Sequence, residues 1–113
     1  MKIVTKSITI RELKEMSSKM FDSLVKAVVD VKKEIMAVDA ELHADEEQLL
    51  LKNGSRQTDL WGINIYPDEK DEKFIEFDSM INIRPYQSNR TRRIDDPKIR
   101  EKVIQIVNKL VKK

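Results

Sequence analysis

Asp39, Glu41 and His43 stand two residues apart in the stretch MAVDAELHAD. If that stretch is extended, its period of two puts all three side chains on one side of a sheet. Two carboxylates and an imidazole make a donor set for a divalent metal such as Mn²⁺ or Zn²⁺. They also make a proton-transfer set, because His43 is the only histidine and titrates unaided near neutral pH. The same pattern suits a solvated sheet face whose acids pair with Lys26, Arg84 or helix ends.

A second group of residues offers different chemistry. Asn89-Arg90-Thr91-Arg92-Arg93 follows Arg84 and Tyr86 closely. Arginine forks match phosphate geometry, and a loop beyond a rigid strand is a common place for binding residues. Tyr86 adds a face on which an unpaired base could stack. Alternatively, these arginines tie the loop to Asp95, Asp96 or the acids of residues 39–47.

Charge is segregated along the chain. The overall balance is only +2, yet residues 84–113 hold ten Lys/Arg against three Asp/Glu, and residues 39–47 hold five acids and no Lys or Arg. That distribution is a stronger pointer to an anionic partner than the net charge is. Cysteine is absent, which removes disulfides, thiolate metal sites and a cysteine nucleophile, and suits a reducing cytoplasm. No apolar run approaches the roughly 20 residues that span a bilayer, and the N-terminus is too short and polar for a signal peptide. Gly54 and Gly62, the two glycines, form neither a P-loop nor a dinucleotide fingerprint. Ser79 lacks the flanking glycines of a nucleophile elbow.

The elements that must position these residues follow from periodicity. Lys2 to Val4 suits a short edge strand. Thr9 and Glu12 form a capping box, with Ile8 and Leu13 at the staple positions, and Ile10, Leu13, Met16, Met20 and Phe21 share the helical face behind it. Residues 24–31 alternate as a half-buried strand, and residues 34–43 alternate again. Residues 44–53 read as a short helix with acids in its first turn and Asn53-Gly54 as its stop. Residues 60–66 form a further strand in which Gly62 marks a bulge or a close backbone approach. Residues 74–84 read as the longest strand, with Met80 the one apolar residue on its polar side. Asp96 and Pro97 start a last helix whose stripe is Ile99, Val103, Ile106, Val107, Leu110 and Val111.

These elements predict one α+β domain over residues 1–113. Its four-stranded, mainly antiparallel sheet has one face covered by the N- and C-terminal helices, with one short helix besides. The other face is polar and open.

At ELHADEEQLLLKNG, LWGINIYP and EFDSMINIRP…NRTR the chain resembles a family of small, uncharacterised prokaryotic proteins, a domain of unknown function. The resemblance covers nearly the whole length. It implies a stand-alone bacterial or archaeal cytoplasmic protein and brings no activity, cofactor or catalytic residue.

The leading expectation is a binding module that holds phosphate, RNA foremost, through Arg84, Tyr86, Arg90, Arg92 and Arg93. The alternative is a nuclease or phosphoesterase in which Asp39, Glu41 and His43 hold a divalent metal or move protons, or in which His43 and the arginines act alone. A third expectation is an interaction domain that docks a protein partner or its own copy. No cofactor beyond a divalent metal is called for, and no membrane.

Overall fold

The computed structural model describes all 113 residues, Met1 to Lys113. Its centre is β3, Val25–Asp30, whose VKAVVD sequence is buried along almost its whole length. A strand buried on both faces has to carry apolar residues at consecutive positions, as Ala27, Val28 and Val29 do. Around it lie β4 (Ile35–Val38) and β5 (Leu60–Ile65), then β1 (Lys2–Val4) and β6 (Ile75–Glu76) at the edges. The strand order is β1-β4-β3-β5-β6, antiparallel throughout.

Register decides what each face carries. Val25, Ala27 and Val29 stand opposite Ile65, Ile63 and Trp61 on one side, and Ala27 and Val29 opposite Val38 and Met36 on the other. This face is covered by α1 (Ile10–Met20) and α3 (Pro97–Leu110) through Leu13, Val103, Ile106, Val107 and Leu110. The second face holds Val28, Ala37 and Leu60, and Leu50 of α2 (His43–Lys52) packs on them. The sheet is therefore five-stranded and covered on both faces, where four strands and an open polar face were expected. Val28, Ala37 and Leu60 were the apolar residues on the supposedly polar side.

Local chemistry sets the helix ends. Thr9 Oγ1 accepts from the Glu12 amide (3.1 Å) and Glu12 Oε1 accepts from the Thr9 amide (3.2 Å), which satisfies two orphan donors of α1. Only Leu13 of its predicted stripe is fully buried; Ile10 and Met16 pack at the margin, while Met20 and Phe21 are exposed. Gly54 adopts φ 94°, so its amide reaches Leu51 O (3.2 Å) and the Ser55 amide reaches Leu50 O (3.0 Å), closing α2. Asp96 Oδ1 accepts from the Lys98 amide (2.8 Å), with Pro97 opening α3. A parallel pairing of β2 (Ile8–Thr9) with β7 (Val111–Lys112) then ties the start of α1 to the end of α3.

Two predicted strands are shorter than their alternation suggested. β4 stops at Val38 because Asp39 turns to φ 71°. The strand expected over residues 74–84 pairs only at Ile75 and Glu76, and the chain then turns through Met80–Asn82. The outer edge of β5 is completed by a side chain instead: Asn82 Oδ1 accepts from the Gly62 amide (2.8 Å) and Asn82 Nδ2 donates to Gly62 O (2.9 Å).

Candidate nucleic-acid interface

The early end of β4 separates the three residues that its alternation had aligned. Asp39 sits in the turn and pairs with the Met1 amine at 3.7 Å. Glu41 is exposed in the link to α2. His43 is the first residue of α2 and is buried, with Nε2 2.7 Å from Ile63 O. They share no strand face, and no three His, Asp or Glu side chains of the chain converge as a metal-holding group.

His43 keeps other company. Burial holds its imidazole below the usual range; Lys26 and Arg92 nearby add to that, while the Ile63 carbonyl and Asp78 oppose it. The neutral ring then donates Nε2–H to Ile63 O. On the same helix Glu46 is fully buried, and burial pushes its carboxyl up to about 10. Its Oε2 accepts from the Ala40 amide (3.2 Å), which fixes the Asp39–Leu42 turn to α2.

The basic loop is built on two buried asparagines. Asn82 Nδ2 also donates to Arg92 O (3.0 Å). Asn89 Nδ2 donates to Asn82 O and Arg93 O, both at 2.7 Å, with a longer contact to Thr91 O, and Asn89 Oδ1 accepts from the Asp95 amide (2.7 Å). The Ser79 amide donates to Arg92 O (3.0 Å). Asp95 accepts from the Thr91 hydroxyl (2.7 Å) and the Arg90 amide (3.0 Å), and these bonds hold its carboxyl below the usual range. The loop's shape thus comes from side-chain amides, the Asp95 carboxylate and backbone groups.

The arginines differ sharply in what they do. Arg84 is buried: its guanidinium donates to Gln57 O and Leu60 O and lies over the Trp61 ring at 4.1 Å. It joins the loop to the start of β5. Arg92 is exposed and pairs with Asp78 at 2.7 Å. Arg93 lines a shallow groove with Tyr66, Glu69, Glu72, Lys73 and Glu76. The side chains of Arg90 and Arg93 make no hydrogen bond or ion pair within the protein. Tyr86 is 67% exposed and touches the rest of the chain through its hydroxyl, which donates to Gln57 Oε1 (3.0 Å). Met80 and Ile83 are exposed on the same segment. The outcome is a rigid, cationic rim carrying an open aromatic face.

The family model "Protein of unknown function (DUF5674)" matches residues 2–110. The chain belongs to that family. Neither a curated protein nor a solved structure matches it. No helix is long and apolar enough to cross a membrane.

Sequence reasoning passed over several members of this surface. Met80 stood out as the apolar exception in a polar register, and its exposure is the reason. Lys26 and Asp78 reach His43 only through the packing of α2 on the second face, which no local spacing announces.

Proposed function

We propose that this chain binds single-stranded RNA, or a closely similar phosphate-bearing strand, on the rim formed by Tyr86, Arg90, Arg92 and Arg93. One observation carries the reading: the loop is held by Asn82, Asn89 and Asp95, so the heads of Arg90 and Arg93 are not needed to hold it. Cations with no internal partner on a fixed backbone suit phosphate, and an exposed tyrosine beside them suits an unstacked base. Arg84, spent on Gln57, Leu60 and Trp61, supports the rim without belonging to it. A cysteine-free chain with this role fits the cytoplasm.

Fluorescence anisotropy with a labelled oligoribonucleotide tests the aromatic half of the proposal. Base stacking contributes about 1–3 kcal/mol by alanine substitution, so Tyr86→Ala should weaken binding by roughly 5- to 150-fold while Tyr86→Phe binds like wild type. Equal binding by all three proteins would remove Tyr86 from the interface.

A second reading has its own observation behind it. Buried, neutral His43 feels the charges of Lys26, Asp78 and Arg92, the last of these a rim residue. That arrangement suits metal-independent transfer of a proton from a ribose hydroxyl. Cleavage of labelled RNA in the presence of a chelator, lost in His43→Ala, would support it; intact RNA with the wild type would end it.

A further inference from the structure

Strand β6 and the loop before it line a shallow groove that also holds Arg93 of the rim. Carboxylates of Glu69, Glu72 and Glu76 stand along it, together with the cations of Lys73 and Arg93. None of these five side chains forms an ion pair within the protein. Ile75 and Phe77 add a half-buried apolar part. With both charges present, the groove suits neither a bare anion nor a polycation. It suits a flat group that offers donors along one edge and an acceptor beside them.

Glu76 is the fixed member of this group. Register sets it beside Asn64 of β5. Its Oε1 accepts from Asn64 Nδ2 (2.8 Å) and from the Tyr66 hydroxyl (2.9 Å), while Oε2 accepts from no group of the protein. Asn64 is only 6% exposed, so the anchor belongs to the sheet, and its Oδ1 is a further acceptor without a partner. An ionised carboxylate has about four acceptor positions. With two taken at Oε1, the rest are left on a group that is held in place.

We propose that the groove takes one base of the bound strand and that Glu76 selects guanine. The inference rests on the nucleic-acid reading and adds a specificity to it. Unpaired bases are read on their pairing edges. Guanine alone among RNA bases presents two adjacent donors there, N1–H and the N2 amino group, with no lone pair between them. Adenine N1, cytosine N3 and the uracil carbonyls turn lone pairs toward a carboxylate and are repelled. Lys73 supplies a donor for guanine O6, and Arg93 keeps the neighbouring phosphate on the rim. Glu69 and Glu72 keep phosphate out of the groove itself.

Labelled uridine oligoribonucleotides that differ at one central position test it by fluorescence anisotropy. The wild type should bind the strand with guanosine there roughly 5- to 150-fold more tightly than the strand with adenosine, the discrimination of one good bidentate contact. Inosine, which lacks the N2 amino group, should lose much of that advantage. Glu76→Gln should bind the guanosine and adenosine strands alike. The inosine comparison uses the wild type alone and so stands whether or not the variant folds. Equal binding of guanosine and adenosine strands by the wild type, inosine bound as tightly as guanosine, or a preference kept by Glu76→Gln would each overturn the inference while leaving the rim's phosphate contacts intact. No binding of any strand at low salt would overturn the nucleic-acid reading and this inference with it.

Discussion

Gly62 and Ser79 lie so close that a Cβ placed on Gly62 would stand 2.6 Å from both Cβ and Oγ of Ser79. The missing side chain is what lets the 78–93 segment lie against β5, with Asn82 bonded to the Gly62 backbone. Gly62→Ala forces the two chains apart. It should destabilise the fold by about 1–3 kcal/mol, as overpacking does, measured by urea unfolding, and should weaken RNA binding as the rim shifts. Adding Ser79→Gly restores room and should recover part of both losses. A Gly62→Ala protein as stable as wild type would show that the contact is soft.

Asn89 offers a sharper test of what holds the rim. Its amide serves Asn82 O and Arg93 O as donor and the Asp95 N–H as acceptor. Asn89→Ala leaves buried groups dry, at about 1–3 kcal/mol each. Asn89→Asp keeps the shape and the acceptor but turns the donor into a carboxylate facing carbonyls. It should be at least as damaging, and hydrogen exchange should speed up over residues 79–95 first. Faster exchange confined to other segments would contradict this account of the loop.

The pH dependence of stability should carry two opposed signatures. His43 is held below its ordinary 6.5, so its contribution is complete above about 6.5 and is lost as pH falls through its folded value. Glu46 is raised from 4.5 to about 10, so its contribution is complete below about 4.5 and is lost as pH rises toward 10. Glu46→Gln imitates the neutral acid. Its midpoint should match wild type near pH 4 and exceed it increasingly at alkaline pH. Parallel curves for the two proteins would mean that Glu46 is ionised in the fold.

Much of this architecture was legible because it is local. The Thr9–Glu12 box, the Asn53–Gly54 stop, the Asp96–Pro97 start and the alternation around Trp61 each need only neighbours in sequence. The misreadings came where a distant group supplied what a neighbour usually does. Asp39 entered the left-handed region without being glycine or asparagine, so the alternation through Ala40 and Leu42 continued past the strand's end. Asn82 replaced a strand partner with a side chain, so the alternation from Ile75 to Ile83 outlived its pairing. The second face read as polar on the strength of Lys26, Asp30 and Asn64, although Val28, Ala37 and Leu60 break that pattern and Leu50 answers them. Within the candidate site, the exposed arginines were legible as a group. The burial of Arg84 over Trp61 was not, because only the tertiary fold brings them together.

The central claim is that the exposed arginines meet phosphate, and a salt series measures it most directly. Binding of labelled single-stranded RNA should fall with salt at a slope of roughly −0.7 per contacted phosphate, hence about −2 for Arg90, Arg92 and Arg93 together. Arg84, buried, is not counted. The Arg90/Arg92/Arg93→Ala protein should bind weakly with a nearly flat slope. A slope unchanged by the triple substitution, or no binding by the wild type at low salt, would contradict the account.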